Sequence, residues 1–222
     1  MADSKNILKN KYKLGKLLGK GNYGSVFLAN EIKDNNKLYA IKQIKKEKLD
    51  TTYLKNALKE EIKIMVLLDH ENSVRLIDYF ETDEYHNLVM ELCDTDLDEL
   101  LKGHFKNTNK GFNELELWAI MNQLNKIFAK MREKYIIHRD LKLKNILVKK
   151  DEIIEILGFV IKLSDFGFSK VLKDEDITST QLGTPATQAP EIKFGEDYNQ
   201  KADLWSIGVI IYQLLFNKLP FV

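Results

Sequence analysis

The segment of residues 138–145 brings several reactive side chains onto one short stretch of chain. It contains Asp140, Lys142 and Asn145, and apolar residues stand immediately before it at 136–137 and after it at 146–148. A carboxylate near an attacking hydroxyl, a cation near a phosphate and an oxygen ligand for a divalent metal are the groups that phosphoryl transfer requires. The spacing therefore predicts a phosphate-transfer loop held out from a buried scaffold, with the rest of the site supplied from elsewhere in the chain.

A glycine-rich stretch between two apolar runs is a second candidate for phosphate binding. Gly19, Gly21 and Gly24 have the spacing G-x-G-x-x-G. A dinucleotide-binding loop would open a helix and would carry an acidic residue about 20 positions further on. Here a β-branched and aromatic run follows instead, and Lys42 stands 18 positions after Gly24. The pattern predicts a β-meander over residues 12–48 with a glycine-rich flap over phosphates. A mobile hairpin, with Lys42 as a solvated surface charge, is the alternative.

A helix predicted over residues 53–68 carries an acidic side chain beside its apolar stripe. The apolar positions recur at helical spacing, and they are Leu54, Leu58, Ile62, Met65 and Leu68. Glu61 lies inside or beside this stripe, whereas Glu60 is rotated about 100° away, toward solvent. A carboxylate on a buried face needs a partner, and Lys42 is the natural one. The alternative is a Glu at the edge of the stripe whose carboxylate reaches water.

Further motifs follow in a recognisable order. After His138-Arg139-Asp140 come Asp165-Phe166-Gly167, Gly183-Thr184-Pro185, Ala189-Pro190-Glu191 and a buried helix near Asp203. With the glycine-rich stretch, Lys42 and Glu61, this order resembles that of eukaryotic protein kinase catalytic domains over roughly residues 12–220. Lys142 and the Gly-Thr-Pro segment resemble the Ser/Thr branch of that family.

The resemblance implies a role for each matching residue. Asp140 would orient the substrate hydroxyl as base, and Lys142 would neutralise charge on the transferring phosphoryl group. Lys42, paired with Glu61, would grip the α- and β-phosphates. Asn145 and Asp165 are the implied metal ligands, and the implied cofactors are ATP and Mg²⁺, with Mn²⁺ as an alternative metal. The implied ATP-binding residues are Leu18, Gly19, Lys20, Gly21, Asn22, Tyr23, Gly24, Ser25, Val26, Ala40, Lys42, Met90, Glu91, Cys93 and Leu147.

The implied fold is α+β and bilobal. A small lobe with a five-stranded antiparallel sheet and one long helix would adjoin a larger, mainly helical lobe. We expect a single kinase domain over residues 1–222, with the ATP-binding lobe at 12–90, a hinge at 91–96 and the C-terminal lobe at 97–222. His138 is expected to pack on Phe166. Asp203 is expected to be structural and is also a candidate helix N-cap.

Two features depart from the family pattern. Thr187 stands where an aromatic residue, usually Tyr, is expected, so the floor of the peptide site is altered. The chain also ends soon after the helix near Asp203. The C-terminal lobe is therefore expected to be incomplete, with an apolar surface around Ile207, Ile211 and Leu214 that a partner chain could cover.

The function predicted from these motifs is that of an ATP-dependent protein serine/threonine kinase. It would transfer the γ-phosphoryl group of Mg-ATP to a Ser or Thr hydroxyl of a protein substrate. A kinase-like nucleotide-binding scaffold with little or no turnover, for lack of the C-terminal helices, is the alternative. Arg139 places a cation beside Asp140, and this cation needs an anion to organise it. A phosphate on Thr180 could supply that anion, so Thr180 is the candidate regulatory phosphosite. The alternative is that the segment around Thr180 is a solvated Ser/Thr-rich loop.

Charge and cysteine content indicate which partners and which compartment to expect. The formal net charge is +1, with both signs interspersed, so neither a nucleic-acid nor a membrane partner is expected. The single cysteine, Cys93, fits a reducing compartment, and the first residues lack the apolar core of a signal peptide. The expected location is the cytoplasm, and the sequence leaves entry into the nucleus open.

Overall fold

The chain divides into two compact units, and the described strands form one sheet in the smaller unit and two in the larger. The computed structural model describes residues 7–21, 24–34, 36–151, 156–172 and 183–221. The smaller unit comprises Met1–Asn56 with Arg75–Leu92, and the larger unit comprises Ala57–Val74 with Cys93–Val222.

One antiparallel sheet forms the smaller unit. Its strands are β1 (Ile7–Leu8), β2 (Tyr12–Lys20), β3 (Gly24–Glu31), β4 (Leu38–Lys45), β5 (Leu76–Glu81) and β6 (Tyr85–Glu91), in the spatial order β1-β2-β3-β4-β6-β5. The meander predicted over residues 12–48 is confirmed, because β2, β3 and β4 are consecutive neighbours. The predicted count of five strands was wrong by one. The sixth strand is β1, which pairs with β2 through Ile7 and Leu8.

The extra strand exists because Leu8 completes an apolar cluster on one face of the sheet. The cluster is formed by Leu8, Tyr12, Ala29, Ile41 and Val89. Tyr12 is fully buried and stacks on Phe80 with ring centroids 6.1 Å apart. Lys9, which follows β1, forms a 3.0 Å ion pair with Asp78 on β5. A two-residue strand has little stability of its own, so this burial and ion pair fix it to the sheet.

The predicted long helix is α1 (Thr52–Leu67), and Thr51 caps its first turn by accepting a 3.2 Å hydrogen bond from Leu54 N. Its buried residues are Leu58, Glu61, Ile64 and Met65. Ile64 is thus part of the buried face in place of Leu54 and Ile62, which are only half-buried. Residues 64 and 65 both turn inward, so the buried stripe is wider than the predicted spacing of three and four residues.

Among the described residues, four helices lie wholly within the larger unit, and they are α2 (Leu97–Thr108), α3 (Glu114–Glu133), α4 (Pro190–Lys193) and α5 (Lys201–Phe216). Asp96 caps α2 by accepting a hydrogen bond from Glu99 N at 2.9 Å. Asn113 and Glu116 form a reciprocal capping box at the start of α3. These caps fix where the two helices begin and therefore where the intervening chain re-enters the core.

Short strands of the larger unit position the loops between its helices. They are β7 (Thr95–Asp96), β8 (Ile136–Ile137), β9 (Ile146–Lys150), β10 (Phe159–Leu163) and β11 (Lys170–Val171). Strand β9 lies between β10 and β7, and β11 pairs with β8. Strands β9 and β10 form a hairpin, since they pair antiparallel from Lys150↔Phe159 onward. Its residues 152–155 lie outside the described part of the chain.

The apolar surface expected on α5 is not where the sequence analysis placed it. Ile207 is 8% exposed and Leu214 is fully buried. Helix α5 turns both side chains inward and exposes Leu204 and Phe216 instead. The prediction failed because α5 is apolar nearly all round, so its sequence does not show which side faces the interior.

Candidate active site

Two buried strand residues and one carboxylate set the backbone of the loop at 138–145. Ile136 and Ile137 form β8 and are buried, and Ile137 belongs to an apolar cluster that also contains Ala189 and Ile192. Asp203 then accepts hydrogen bonds from His138 N at 2.8 Å and from Arg139 N at 3.0 Å. Asp203 is therefore structural, as predicted, but it is not the N-cap of α5. Gln200 occupies that position.

Asp203 is a buried carboxyl in a mixed electrostatic environment. Burial raises its pKa above the usual range, whereas His138 and Arg139, whose amides face it, oppose that rise. Arg139 has a left-handed backbone conformation, with φ of 69°. A non-glycine residue in this region costs free energy, and the two amide hydrogen bonds to Asp203 stabilise the turn that requires it.

His138 is a packing residue rather than a base. It is fully buried and its ring lies 5.3 Å from that of Phe166, as the sequence predicts. Its Nδ1 accepts from Asp140 N at 3.3 Å, and its Nε2 lies 3.0 Å from Ser164 O. An amide can only donate and a carbonyl can only accept, so these contacts select the neutral tautomer with the proton on Nε2. Both ring nitrogens are thus engaged in holding the loop.

The carboxylate of Asp140 is held by three side chains. It is 2% exposed. Its Oδ2 accepts from Lys142 Nζ at 2.7 Å and from Asn145 Nδ2 at 3.0 Å, and its Oδ1 accepts from Thr184 Oγ1 at 2.6 Å. Lys142 Nζ also donates to Thr184 Oγ1 at 2.9 Å. A carboxylate fixed beside an ammonium can orient a hydroxyl group and balance the charge of a phosphate.

Asn145 has its amide orientation set by the same loop. Its Nδ2 donates to the carbonyl oxygen of Asp140 at 2.8 Å as well as to the Asp140 carboxylate. The backbone carbonyl oxygen of Asn145 accepts hydrogen bonds from Ser164 N at 2.9 Å and from Ser164 Oγ at 3.0 Å. Because both amide protons point toward Asp140, the side-chain oxygen Oδ1 points away from it. Sequence analysis missed Ser164, whose side chain joins this loop to the segment that begins at Asp165.

The carboxylates of Asp165 and Glu61 both lie close to Gly167. A Cβ added at Gly167 would lie 3.4 Å from Asp165 Oδ1 and 3.6 Å from Glu61 Oε2. Glu61 is 6% exposed, which confirms that it belongs to the buried face of α1. Asp165 has a left-handed backbone, with φ of 60°. Backbone strain of this kind is concentrated at functional sites, and here it turns the chain out of β10.

The segment from Gly183 to Thr187 packs directly on the loop. Gly183 has φ of +110°, and a Cβ there would lie 2.2 Å from Arg139 O, so no side chain fits. This close approach brings Thr184 onto Asp140. Thr187 is buried, and its carbonyl accepts from Ser206 Oγ at 2.7 Å. The position where the family pattern has an aromatic residue is therefore occupied by a smaller residue, whose backbone carbonyl is held by Ser206 of α5.

Four of the predicted nucleotide-binding residues share one face of the sheet in the smaller unit. Lys42 has Val26 as its Cα partner on β3, and Ala40 has Met90 as its partner on β6. Directly opposed residues of an antiparallel sheet share a face, and so do residues two apart on one strand. The opposite face carries the Tyr12 cluster, so these four side chains are excluded from that core.

The glycine-rich turn joins two strands and does not open a helix. Gly21 N donates to Gly24 O at 2.8 Å, and a Cβ at Gly24 would lie 2.2 Å from Gln43 O. Leu18 falls at a register shift between Leu17 and Gly19. The strand after the turn excludes the dinucleotide-binding alternative. Asn22 and Tyr23 lie outside the described residues.

The remaining predicted residues fall into three groups. Gly19, Lys20 and Ser25 belong to paired positions of β2 and β3. Glu91 ends β6, and its amide donates to Arg75 O at 3.1 Å. Cys93 is half-buried, and Leu147 lies on β9 opposite Asp96. Lys42 and Glu61 belong to different units, and their pairing stays a prediction. Thr180 lies outside the described residues.

Comparison with known proteins identifies the class to which this fold and site belong. Residues 12–222 match the family model described as the protein kinase domain. The chain therefore belongs to the protein kinase family, which confirms the predicted α+β kinase-like fold. Members of this family use ATP and a divalent metal ion.

Curated relatives from distant organisms agree with that assignment. The chain is 39% identical to Serine/threonine-protein kinase 33 of Bos taurus, across 99% of this chain and 45% of the relative. It is 36% identical to Serine/threonine-protein kinase ATG1a of Arabidopsis thaliana, across 95% and 32%. It is 34% identical to Calcium-dependent protein kinase 4 of Plasmodium falciparum, across 99% and 40%. The chain thus spans less than half the length of these three relatives.

Within residues 7–221, apart from the short undescribed segments, no helix is both long and apolar enough to cross a bilayer.

Proposed function

We propose that this chain is a protein serine/threonine kinase that transfers the γ-phosphoryl group of Mg-ATP to a Ser or Thr hydroxyl of a protein substrate. The observation that carries the proposal is the environment of Asp140, buried and held by Lys142, Asn145 and Thr184. A carboxylate with a purely structural role would not need an ammonium group such as that of Lys142, which also donates to the Thr184 hydroxyl. The resemblance of this arrangement to a transfer site is what favours turnover over a nucleotide-binding scaffold.

Each residue of the loop has a separate task in this proposal. Asp140 would accept the hydrogen bond of the substrate hydroxyl and orient its oxygen for attack. Lys142, 29% exposed at its side chain, would balance the negative charge of the transferring group. Asn145 would keep the Asp140 carboxylate in one orientation, because its amide group donates to that carboxylate and to the Asp140 backbone carbonyl. Positioning of this kind supplies most of the catalysis in phosphoryl transfer.

The residues present fit a divalent metal ion. The Asn145 amide oxygen points away from Asp140, and the Asp165 carboxylate lies beside Gly167. Hard cations such as Mg²⁺ take oxygen ligands, and Mg²⁺ commonly uses one or two protein groups together with substrate phosphates. Asn145 and Asp165 would therefore hold Mg²⁺, with Mn²⁺ as an alternative, and the bound ion would neutralise phosphate charge. In the described ranges, no three His, Cys, Asp or Glu side chains form a metal cluster of their own.

We further propose that the sheet face with Val26, Ala40, Lys42 and Met90 contacts the nucleotide. Ala40 is 9% exposed and has no bulk, which leaves room for a flat base on that face. Lys42 would bind phosphate oxygens through its ammonium group. The half-buried Cys93 thiol, with no second cysteine in the chain, suits the reducing cytoplasm as the place of action.

Transfer of radiolabelled phosphate tests the function. Wild type, Asp140→Asn and Glu133→Gln would be incubated with [γ-³²P]ATP, Mg²⁺ and a basic protein substrate, followed by phosphoamino acid analysis. Glu133 is the matched control, because the same chemical change occurs on a carboxylate with 64% side-chain exposure on α3. We expect phosphoserine or phosphothreonine from wild type and control, and a loss of at least about 100-fold in Asp140→Asn.

Nucleotide binding separates the kinase from the scaffold. Equilibrium binding of a fluorescent ATP analogue would be measured on the same three proteins. Binding without transfer in wild type would replace the proposed kinase with a nucleotide-binding scaffold. Transfer to tyrosine would overturn the serine/threonine assignment while leaving the kinase class intact.

A further inference from the structure

Two adjacent carboxylates of helix α1 reach two different points of the segment that follows β10. Glu61 Oε2 lies beside Gly167, and Glu60 Oε1 accepts a hydrogen bond from Val171 N at 3.3 Å. Neighbouring residues of a helix project about 100° apart, so one carboxylate cannot take the place of the other. The sequence analysis placed Glu60 in solvent, but its side chain is only 32% exposed.

The amide that Glu60 meets is one that the β-ladder does not use. Strand β11 pairs with β8 through Lys170↔Ile137 and Val171↔Ile136, and Leu172 N donates to Tyr135 O at 2.8 Å. In an antiparallel pair, hydrogen-bonded and non-hydrogen-bonded positions alternate, so Val171 N points to the outer edge of this two-stranded sheet. A partly buried edge amide needs an acceptor, and Glu60 supplies one.

We infer that Glu60 is a positioning residue, whose hydrogen bond to Val171 fixes the rotation of α1 and thereby holds Glu61 beside Gly167 and Asp165. Buried Leu58, Ile64 and Met65 already set which face of α1 turns inward. The hydrogen bond from Val171 adds a directional contact four residues beyond Gly167 and makes the rotation of the helix more exact. The tether depends on reach and on an acceptor oxygen, not on net charge, and Lys63, at 3.8 Å from Glu60, is not part of it.

Amide hydrogen exchange tests the tether without any need for catalysis. Exchange of Val171 N would be followed by nuclear magnetic resonance in wild type, Glu60→Gln, Glu60→Asp and Lys63→Ala. Gln keeps the acceptor at the same reach, whereas Asp keeps the charge and withdraws the acceptor by one methylene. We expect exchange about tenfold faster in Glu60→Asp, and rates near wild type in Glu60→Gln and Lys63→Ala. Protection that survives in Glu60→Asp, or that is lost in Glu60→Gln, would overturn the tether.

The kinetic consequence rests on the proposed kinase function and has its own readout. If Glu60 acts through Glu61, Glu60→Asp should raise KM for ATP and lower kcat. Together these two changes should reduce kcat/KM for ATP by about tenfold, while KM for the protein substrate stays unchanged. Glu60→Gln should restore both constants. An Asp variant with faster Val171 exchange and unchanged ATP kinetics would overturn the positioning role. Absence of turnover in wild type would refute the kinase proposal alone, since exchange still decides the tether.

Discussion

Thr184 Oγ1 donates a 2.6 Å hydrogen bond to Oδ1 of Asp140. This bond crosses from the Gly-Thr-Pro segment to the loop at 138–145, and Lys142 Nζ donates to the same hydroxyl. The hydroxyl therefore links the carboxylate and the ammonium that the proposed reaction uses. Its geometry gives a direct test of whether the two segments act as one site.

Replacing Thr184 with Val should remove this link while keeping the shape of the side chain. Hydrogen bonds to charged groups contribute about 1.5–3 kcal/mol, so we expect kcat to fall roughly ten- to hundredfold. Thr184→Ser retains the hydroxyl and serves as the control, with kcat within about threefold of wild type. Steady-state kinetics on a peptide substrate would measure both. Equal activity in the Val variant would show that Asp140 needs no support from this segment.

Asp165→Ala should abolish phosphate transfer without unfolding the chain. The substitution removes an oxygen ligand at a strained turn and takes nothing from the apolar core. Circular dichroism and a Mg²⁺ titration of activity would be recorded beside an exposed control, Asp83→Ala. Near-wild-type turnover in Asp165→Ala at any Mg²⁺ concentration would contradict the assignment of this carboxylate to the metal.

The same activity assay on Lys42→Met should show a severe loss of turnover, because the phosphates of ATP are then poorly positioned.

Much of the site was predictable because its chemistry is encoded in local spacing. The positions of Asp140, Lys142, Asn145 and Asp165 follow from short motifs, and the burial of Glu61 follows from helical periodicity. Glu60 was placed wrongly because periodicity describes one helix face and carries no information about a distant amide such as Val171. Strand β1 was missed for a similar reason, since only tertiary packing reveals a two-residue strand.

Asp203→Ala should destabilise the fold, although it removes no side chain that takes part in the proposed reaction. The substitution leaves the buried amides of His138 and Arg139 without their acceptors. Each orphaned donor costs about 1–3 kcal/mol, so we expect the loss of both to lower the free energy of unfolding by roughly 2–6 kcal/mol. Urea denaturation would measure the loss, with the exposed Asp197→Ala as control. A change below about 1 kcal/mol would mean that water or another group satisfies these amides.

His86 should make the smaller unit sensitive to acid. It lies on β6, with Nδ1 2.7 Å from Tyr79 Oη, and burial lowers its pKa below the ordinary value of 6.5. A depressed pKa means that the folded state resists protonation. The stability that neutral His86 contributes is thus complete above pH 6.5 and is lost as pH falls through the lower folded pKa. Melting temperatures of wild type and His86→Phe should therefore differ more in favour of wild type at pH 8 than at pH 5. A constant difference would contradict this.

Gly183→Ala should disrupt the site through backbone geometry alone. Gly183 has φ of +110°, where an L-residue is strained, and the added methyl group would lie 2.2 Å from Arg139 O. The segment must move away from the loop, and Thr184 then loses Asp140. Gly208→Ala is the matched control, because it makes the same change within α5 where nothing lies within 4 Å. Alanine is favoured over glycine in a helix interior by roughly 0.5–1 kcal/mol, so Gly208→Ala should be as stable as wild type or more so. We expect Gly183→Ala to lose most of its kcat, by about 100-fold or more, with a lower melting temperature. Wild-type kinetics in Gly183→Ala would show that the close contact between Gly183 and Arg139 is not needed for the site.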